Sequence, residues 1–324
     1  MSQQDQQPHG ADAPAIQTSA LTKEYEHGVR AVDALDLTVE ANTVFALLGP
    51  NGAGKTTTVA MLTTLLPPTA GTATVAGADI VTAASRVRRN IGVTFQETVL
   101  DEALTGSQAL DHHGRLYGLS RAERRKRADE LLDLAELVES ADKQIKKYSG
   151  GMKRRLELIR GLMTDPEILF LDEPTLGVDP QNRAKIGDYV LQLKKQKGMT
   201  VMLTTHDLDE ASRLADTVGI MDKGRVVVVG SPADLVAGMG KDTMHMRGPA
   251  DSSRFRRAVG ALDFVEEVSD TESGVQIGVD SGDRRLAEIV GLASDSGYPI
   301  EEISVSKPTL GDVFLKYTGR ELRD

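Results

Sequence analysis

The run Gly49-Pro50-Asn51-Gly52-Ala53-Gly54-Lys55-Thr56-Thr57 constrains this chain more than any other stretch. It fits the spacing G-x-x-x-x-G-K-[ST] and directly follows an apolar, strand-like segment, Thr43 to Leu48. A strand that feeds such a loop and then a helix begins an α/β layer architecture. Gly49, Gly52 and Gly54 are expected to take positive φ, turning successive N–H groups toward a phosphate chain at a helix N-terminus. Lys55 is placed to neutralise β- and γ-phosphates, Thr56 to offer a hydroxyl to Mg²⁺, and Thr57 to touch an inner phosphate. The alternative, an ordinary glycine-rich turn between strand and helix, is disfavoured because the spacing, the lysine and the strand–helix context all agree.

Composition narrows the setting. With 324 residues and 40% apolar content, the chain can form one large domain and a smaller one. A net charge of −10, no tryptophan and 4% aromatic residues speak against a polyanion binder with base-stacking platforms, so nucleic acid is not expected as a partner. The absence of cysteine excludes disulfides and thiolate metal sites and fits a reducing compartment. Residues 1–14 hold no lysine or arginine and are rich in Gln, Asp, Pro and Gly, the composition of a disordered tail rather than a signal peptide. No segment approaches the ~18 consecutive apolar residues of a membrane span, so a role at a membrane would need a second chain.

From Ile16 to about Val229, apolar runs, helical patterns and glycine-bearing turns alternate, which predicts a mixed sheet with helices on its faces. Strands are expected at Thr43 to Leu48, Ile91 to Phe95, Ile168 to Leu171, Thr200 to Thr204 and Thr217 to Met221, with the site at their carboxyl ends. Thr105 to Tyr148 reads as two or three helices, one opened by a capping box at Ser120 and Glu123. The basic cluster Arg121, Arg124, Arg125, Lys126 and Arg127 reads as a solvated charged face, since acidic residues follow it. After Gly230-Ser231-Pro232 the pattern changes. Short alternating segments and helical stretches from Asp242 predict a small C-terminal α+β accessory domain of ferredoxin-like arrangement, ending in a helix at Thr309 to Arg320. The domain plan is thus residues 1–14, 15–236 and 240–324.

Two further pieces bear on the chemistry. Ile168 to Glu173 (ILFLDE) is a buried strand ending in two carboxylates: Asp172 is suited to hold a metal, and Glu173 to take a proton from, or orient, a water attacking a γ-phosphate. Ser149-Gly150-Gly151 opens an amphipathic helix, with Ser149 as N-cap and two glycines that leave amides uncovered. One γ-phosphate does not easily sit on two helix starts of one monomer. The second start therefore suggests binding across a dimer interface, the plainer reading being a capped helix and nothing more.

The ordered set GPNGAGKTT, Gln96 after a strand, YSGGM, ILFLDEPT, GVDP and His206 in TTHDLDEA resembles the nucleotide-binding domain of ABC ATPases, over roughly Gln17 to Val236. The resemblance implies a P-loop ABC ATPase core with a helical subdomain at about 97–148, using ATP and Mg²⁺. It implies that Tyr25 stacks on adenine, that Gln96 touches Mg²⁺ or water, that Asp179 crosses the dimer, and that His206 contacts the γ-phosphate and fixes the water with Glu173. The signature departs from the usual L-S-G-G-Q: Tyr148 and Met152 flank Ser149, Gly150 and Gly151, and Met152 cannot supply the polar contact of a glutamine. With Glu173 and His206 both present, a homodimer with two working sites is expected.

The resemblance also implies a separate polytopic membrane permease subunit as partner, and hence a peripheral position on the cytoplasmic face of the cell membrane. The ending KPTLGDVFLKYTGREL is similar to daunorubicin-resistance-type ATPases of bacterial multidrug and lipid exporters, which favours export. The rival is a soluble ABC ATPase acting on the ribosome or nucleic acid. Such proteins commonly carry two ATPase domains or a long coiled coil, and this sequence has no second motif set and no sustained heptads.

Overall fold

The computed structural model describes residues 13–96, 99–240, 242–248, 253–271 and 274–319. The chain divides into two compact units with the boundary between Ser231 and Pro232. The tail expected over residues 1–14 falls, up to residue 12, outside the described residues.

The first unit opens with β1 (Ile16–Glu24) and β2 (Arg30–Val39), an antiparallel pair, and then β3 (Val44–Leu48), the phosphate-loop strand. Helix α1 (Lys55–Leu62) follows the loop, and β4 (Ala70–Val75) and β5 (Ala78–Asp79) extend the first sheet in the order β2-β1-β4-β5. Next come α2 (Ala84–Asn90), β6 (Ile91–Thr94), α3 (Gly106–Leu116), α4 (Arg121–Leu134) and α5 (Gly150–Gly161). The unit closes with β7 (Ile168–Asp172), α6 (Pro180–Lys197), β8 (Thr200–Thr205), α7 (Leu208–Leu214), β9 (Thr217–Asp222) and β10 (Arg225–Gly230).

A second, six-stranded sheet runs β10-β9-β3-β8-β7-β6; all neighbours pair in parallel except the edge strand β10, which is antiparallel to β9. Every residue of β3, β7 and β8 is buried, as strands covered on both faces must be. The core between the two sheets includes Ile16, Leu35, Val39, Phe45, Leu47, Phe170 and Met202. Because β3, β7 and β8 point the same way, their carboxyl ends deliver Gly49, Asp172 and His206 to one rim.

The antiparallel sheet was not foreseen strand by strand. In β1 and β2 the alternation of apolar residues is interrupted where Ala20 and Ala34 take φ of +46° each, and the pairing register slips between Thr18 and Leu21. A bulge moves later side chains to the other face and erases the period of two.

Between Thr105 and Tyr148 the described residues form α3, α4 and two short 3₁₀ turns, with the single bridge Thr105 to Gln144. The Ser120 hydroxyl accepts from the Glu123 N–H at 3.3 Å, and the Glu123 carboxylate accepts from the Ser120 N–H at 2.7 Å, which closes the capping box. The basic cluster is not one solvated face. Arg124 turns inward to Asp111 (2.6 Å) and the Leu119 carbonyl, and Arg127 to Asp165 and the Leu162 carbonyl, because their stems lie over the junctions with α3 and the end of α5.

The second unit begins with α8 (Pro232–Ala237) and then runs β11 (Asp242–Arg247), α9 (Ser253–Val259), β12 (Val265–Thr271), β13 (Gly274–Val279), α10 (Gly282–Asp295), β14 (Glu302–Ser306) and α11 (Leu310–Thr318). Its sheet order β12-β13-β11-β14, antiparallel throughout, is the ferredoxin-like arrangement. Met244, Met246, Val275, Ile277 and Val279 face a core closed by Phe255, Val259, Ile289 and Ala293. Arg320, placed at the end of the last helix by the sequence, lies outside the described residues.

Candidate active site

A cleft of about 780 Å³ opens at the carboxyl ends of the parallel strands, lined by Pro50 to Thr57, Gln96, Glu173 and His206, together with Ala31, Leu176, Arg183 and Asp207. The loop from Pro50 to Gly54 gives it a floor of backbone. Gly52 and Gly54 take φ of +80° and +108°, as expected, but Gly49 does not have positive φ. Gly49 is required for a different reason: a Cβ there would stand 2.5 Å from the Met221 carbonyl oxygen on β9, so the close approach of two strands rather than a turn excludes a side chain. Gly54 combines both demands, since a Cβ would also meet the Ala31 carbonyl oxygen at 2.3 Å.

Lys55 is 5% exposed and curls back over its own loop, donating to the Gly49 carbonyl at 2.6 Å and lying 3.6 Å from Glu173 Oε1. Burial pushes its ammonium below the usual lysine range, and the Glu173 carboxylate opposes that shift. A polyphosphate entering the cleft would replace carbonyl contacts with charged ones.

Thr56 and Asp172 converge at the base of the cleft, the Thr56 hydroxyl 3.4 Å from Asp172 Oδ1. The Thr204 hydroxyl donates to the same oxygen at 2.5 Å, fixing the carboxylate. These hard oxygen donors, with the Gln96 amide on the cleft wall, suit Mg²⁺. Among the described residues no group of three or more His, Cys, Asp or Glu could hold a metal ion without other donors.

Glu173 has φ of +48°, a left-handed conformation that costs a non-glycine residue roughly 1–2 kcal/mol. Its N–H is held between the Thr204 carbonyl (3.2 Å) and hydroxyl (3.1 Å). The turn aims the side chain into the cleft, where Oε2 lies 2.7 Å from His206 Nδ1. His206 arrives at the end of β8, and Asp207 caps α7 immediately after it by accepting from the Glu210 N–H at 2.9 Å.

The remaining expected residues lie outside the cleft lining. Tyr25 is 44% exposed, with its hydroxyl 3.5 Å from the Thr57 hydroxyl and the Lys23 ammonium 5.6 Å from its ring centroid. Ser149 caps α5 by accepting from the Met152 N–H at 3.2 Å, with Gly150 and Gly151 forming its first turn. Tyr148 is an internal anchor, buried and donating to the Ser140 carbonyl at 2.7 Å. Asp179 caps α6, accepting from the Asn182 N–H (3.1 Å) and side-chain amide (2.7 Å).

Sequence reasoning missed Arg183, which lines the cleft and pairs with Asp207, as well as Thr204 and Arg154. Arg154 carried a usable signal. Within Lys153-Arg154-Arg155 only position 154 is buried, on the same stripe of α5 as Gly151, Leu158 and Gly161.

Residues 32–176 match the ABC transporter family model. Over 96% of its length the chain is 42% identical to the daunorubicin/doxorubicin resistance ATP-binding protein DrrA of Streptomyces peucetius, covering 94% of that protein. The chain belongs to the ABC transporter ATP-binding proteins. This ATPase is also 37% identical to the linearmycin resistance ATP-binding protein LnrL of Bacillus subtilis, across 90% of this chain and 95% of that one. With the Nod factor export ATP-binding protein I of Ralstonia nicotianae it shares 36% identity, across 98% and 99%. Among solved structures, cbiO1 of Clostridium perfringens, part of an ABC transporter complex, superposes with a TM-score of 0.65 at 26% identity, over 77% of this chain and 96% of that one. A dimeric ATP-binding cassette in a post-hydrolysis state bound to ADP and Pi gives 0.61 at 27% identity, over 67% and 98%. The ATPase is therefore the ATP-hydrolysing kind of subunit that serves a transporter. No helix among its described residues is long and apolar enough to cross a membrane.

Proposed function

We propose that two copies of this ATPase close face to face on ATP and drive export through a separate polytopic membrane permease. The observation that carries the reading is the division of the site: Lys55, Gln96, Glu173 and His206 share one cleft, while the capped start of α5 at Ser149 lies outside it. A homodimer brings the Ser149, Gly150 and Gly151 start of one copy to the γ-phosphate in the cleft of the other, with Asp179 beside it. Tyr25 stacks on adenine at the rim. Gly49 to Thr57 wrap the phosphates, and Lys55 neutralises the β and γ groups. Thr56, Asp172 and Gln96 would hold Mg²⁺, which supplies charge neutralisation on the phosphate oxygens when bound. Glu173 takes the proton from, or orients, the attacking water, and His206 contacts the γ-phosphate and fixes that water with Glu173.

The relatives named for resistance to daunorubicin, doxorubicin and linearmycin and for Nod factor export support a drug-like, lipid or glycolipid cargo. The place of work is then the cytoplasmic face of the cell membrane, held there by the permease. Glu173→Gln protein with Mg-ATP tests the scheme: it should elute as a dimer and capture a polytopic membrane protein at near-equal stoichiometry from gently solubilised membranes of its host. Monomer alone would sink the dimer, and ribosomal components without a membrane protein would sink the transport role.

A further inference from the structure

We infer that Arg154 is a positioning residue which couples the Gln96 loop to the Glu173 turn within one copy of the ATPase. The inference rests on the proposed roles of Gln96 and Glu173. Arg154 is 5% exposed, and every N–H of its guanidinium has an acceptor. Nε donates to the Pro174 carbonyl at 2.7 Å; Nη1 to the Phe95 carbonyl at 2.7 Å and Glu157 Oε2 at 3.0 Å; Nη2 to the Glu173 carbonyl at 3.1 Å and the Asp172 carbonyl at 3.3 Å.

One planar cation therefore holds three successive carbonyls around the strained Glu173 backbone and, on the same fork, the residue just before Gln96. Glu157 completes the clamp. It is 1% exposed, and its other oxygen accepts from the Val99 N–H at 2.8 Å, beyond Gln96 on the far side. The Arg154–Glu157 pair thus grips the chain on both flanks of Gln96 while it fixes the turn that aims Glu173. Displacement of Phe95 would shift the guanidinium, and the fork would carry that shift to the Glu173 carbonyl. Lysine could not substitute: a compact ammonium with three donors cannot span acceptors set out around a planar fork.

The test compares wild type, Arg154→Lys, Gln96→Ala and the double variant for kcat and KM with Mg-ATP, each corrected for folded fraction. Arg154→Lys should lower kcat at least tenfold while KM stays within threefold. The double variant should run within threefold of the slower single variant, because both lesions act on one coupled geometry. Multiplying effects, a rise in KM at intact kcat, a folded Arg154→Lys protein within threefold of wild-type kcat, or a Gln96→Ala protein as fast as wild type would each overturn the coupling. Should Arg154→Lys fail to fold, Glu157→Gln serves: at least a threefold fall in kcat at constant KM supports the clamp, and an unchanged kcat overturns it. Glu173→Gln, run alongside, separates the two levels. If it turns over normally the underlying catalytic reading fails; if it is inactive while Arg154→Lys is normal, only the coupling fails.

Discussion

Glu173 Oε2 and His206 Nδ1 stand 2.7 Å apart, while the other Glu173 oxygen lies 3.6 Å from Lys55, so one carboxylate joins the phosphate-loop lysine to the histidine after β8. On the proposed reading, nucleotide binding divides this arrangement: Lys55 is drawn to the phosphates and the Glu173–His206 pair is left to face water. His206→Ala should therefore reduce kcat by about 100-fold, the scale of a positioned proton-transfer partner, with nucleotide affinity held within threefold. Turnover and fluorescent-nucleotide titration on the same preparation measure both quantities; a loss confined to affinity would contradict the assignment.

Lys55→Ala should act in the opposite way. Charge-assisted hydrogen bonds contribute roughly 1.5–3 kcal/mol, which corresponds to a loss of about 10- to 100-fold in ATP affinity. Equilibrium titration with ATP checks this, and an unaltered Kd in the folded variant would remove Lys55 from the phosphate site.

Ser149→Arg places a bulky cation at the start of α5, outside the cleft that holds Lys55 and Glu173. ATP binding by the isolated monomer should persist within about threefold (a factor worth under 1 kcal/mol) while turnover disappears. Mixing experiments sharpen the test, because in a dimer of one Ser149→Arg copy and one Glu173→Gln copy both lesions fall in the same composite site, so the other site is intact and part of the turnover should return. Loss of ATP binding in the monomer would show that Ser149 acts in its own copy.

Glu210, on α7, is 3% exposed, and neither carboxylate oxygen has a hydrogen-bond partner within normal geometry. Burial raises its pKa above the ordinary 4.5; Thr205 and Thr175 offset part of that shift, and the nearby charges of Asp207 and Glu173 add to it. The folded protein thus keeps a proton that the unfolded chain releases. The associated stability is fully present below about 4.5 and is lost as pH rises through the raised folded value. Glu210→Gln should consequently raise Tm by a few degrees at pH 8 and by much less at pH 4.5. A difference in Tm that is constant across this range would show that Glu210 does not titrate differently in the two states.

The parts of the site most legible in the sequence are those where chemistry demands a residue type at a fixed interval. The phosphate loop, the Asp172-Glu173 strand end and His206 after a strand with an apolar centre are of this kind, and the buried parallel strands that carry them stood out by their apolar runs. What stayed hidden works through backbone. Arg154 recognises carbonyls, which any residue supplies, and Thr204 fixes Asp172 only because β7 and β8 set Asp172 opposite Thr204. Gly49 was read for its loop conformation when its neighbour on β9 is the real constraint, a contact between positions 172 residues apart. The β1–β2 pair escaped for the converse reason: its bulges at Ala20 and Ala34 break the local pattern that sheet prediction depends on.

The first turn of α5 and the first turn of α6 touch. A Cβ at Gly151 would lie 2.7 Å from the Asn182 side chain, and Asn182 is the residue whose N–H and amide Asp179 accepts. The Ser149 cap and the Asp179 cap are therefore neighbours, seated against each other through a position where a side chain would push the Asn182 amide off Asp179. A second copy meeting this surface encounters both features in a single contact. A substitution at Gly151 is therefore expected to reach both caps at once while leaving Ser149 and Asp179 themselves unchanged.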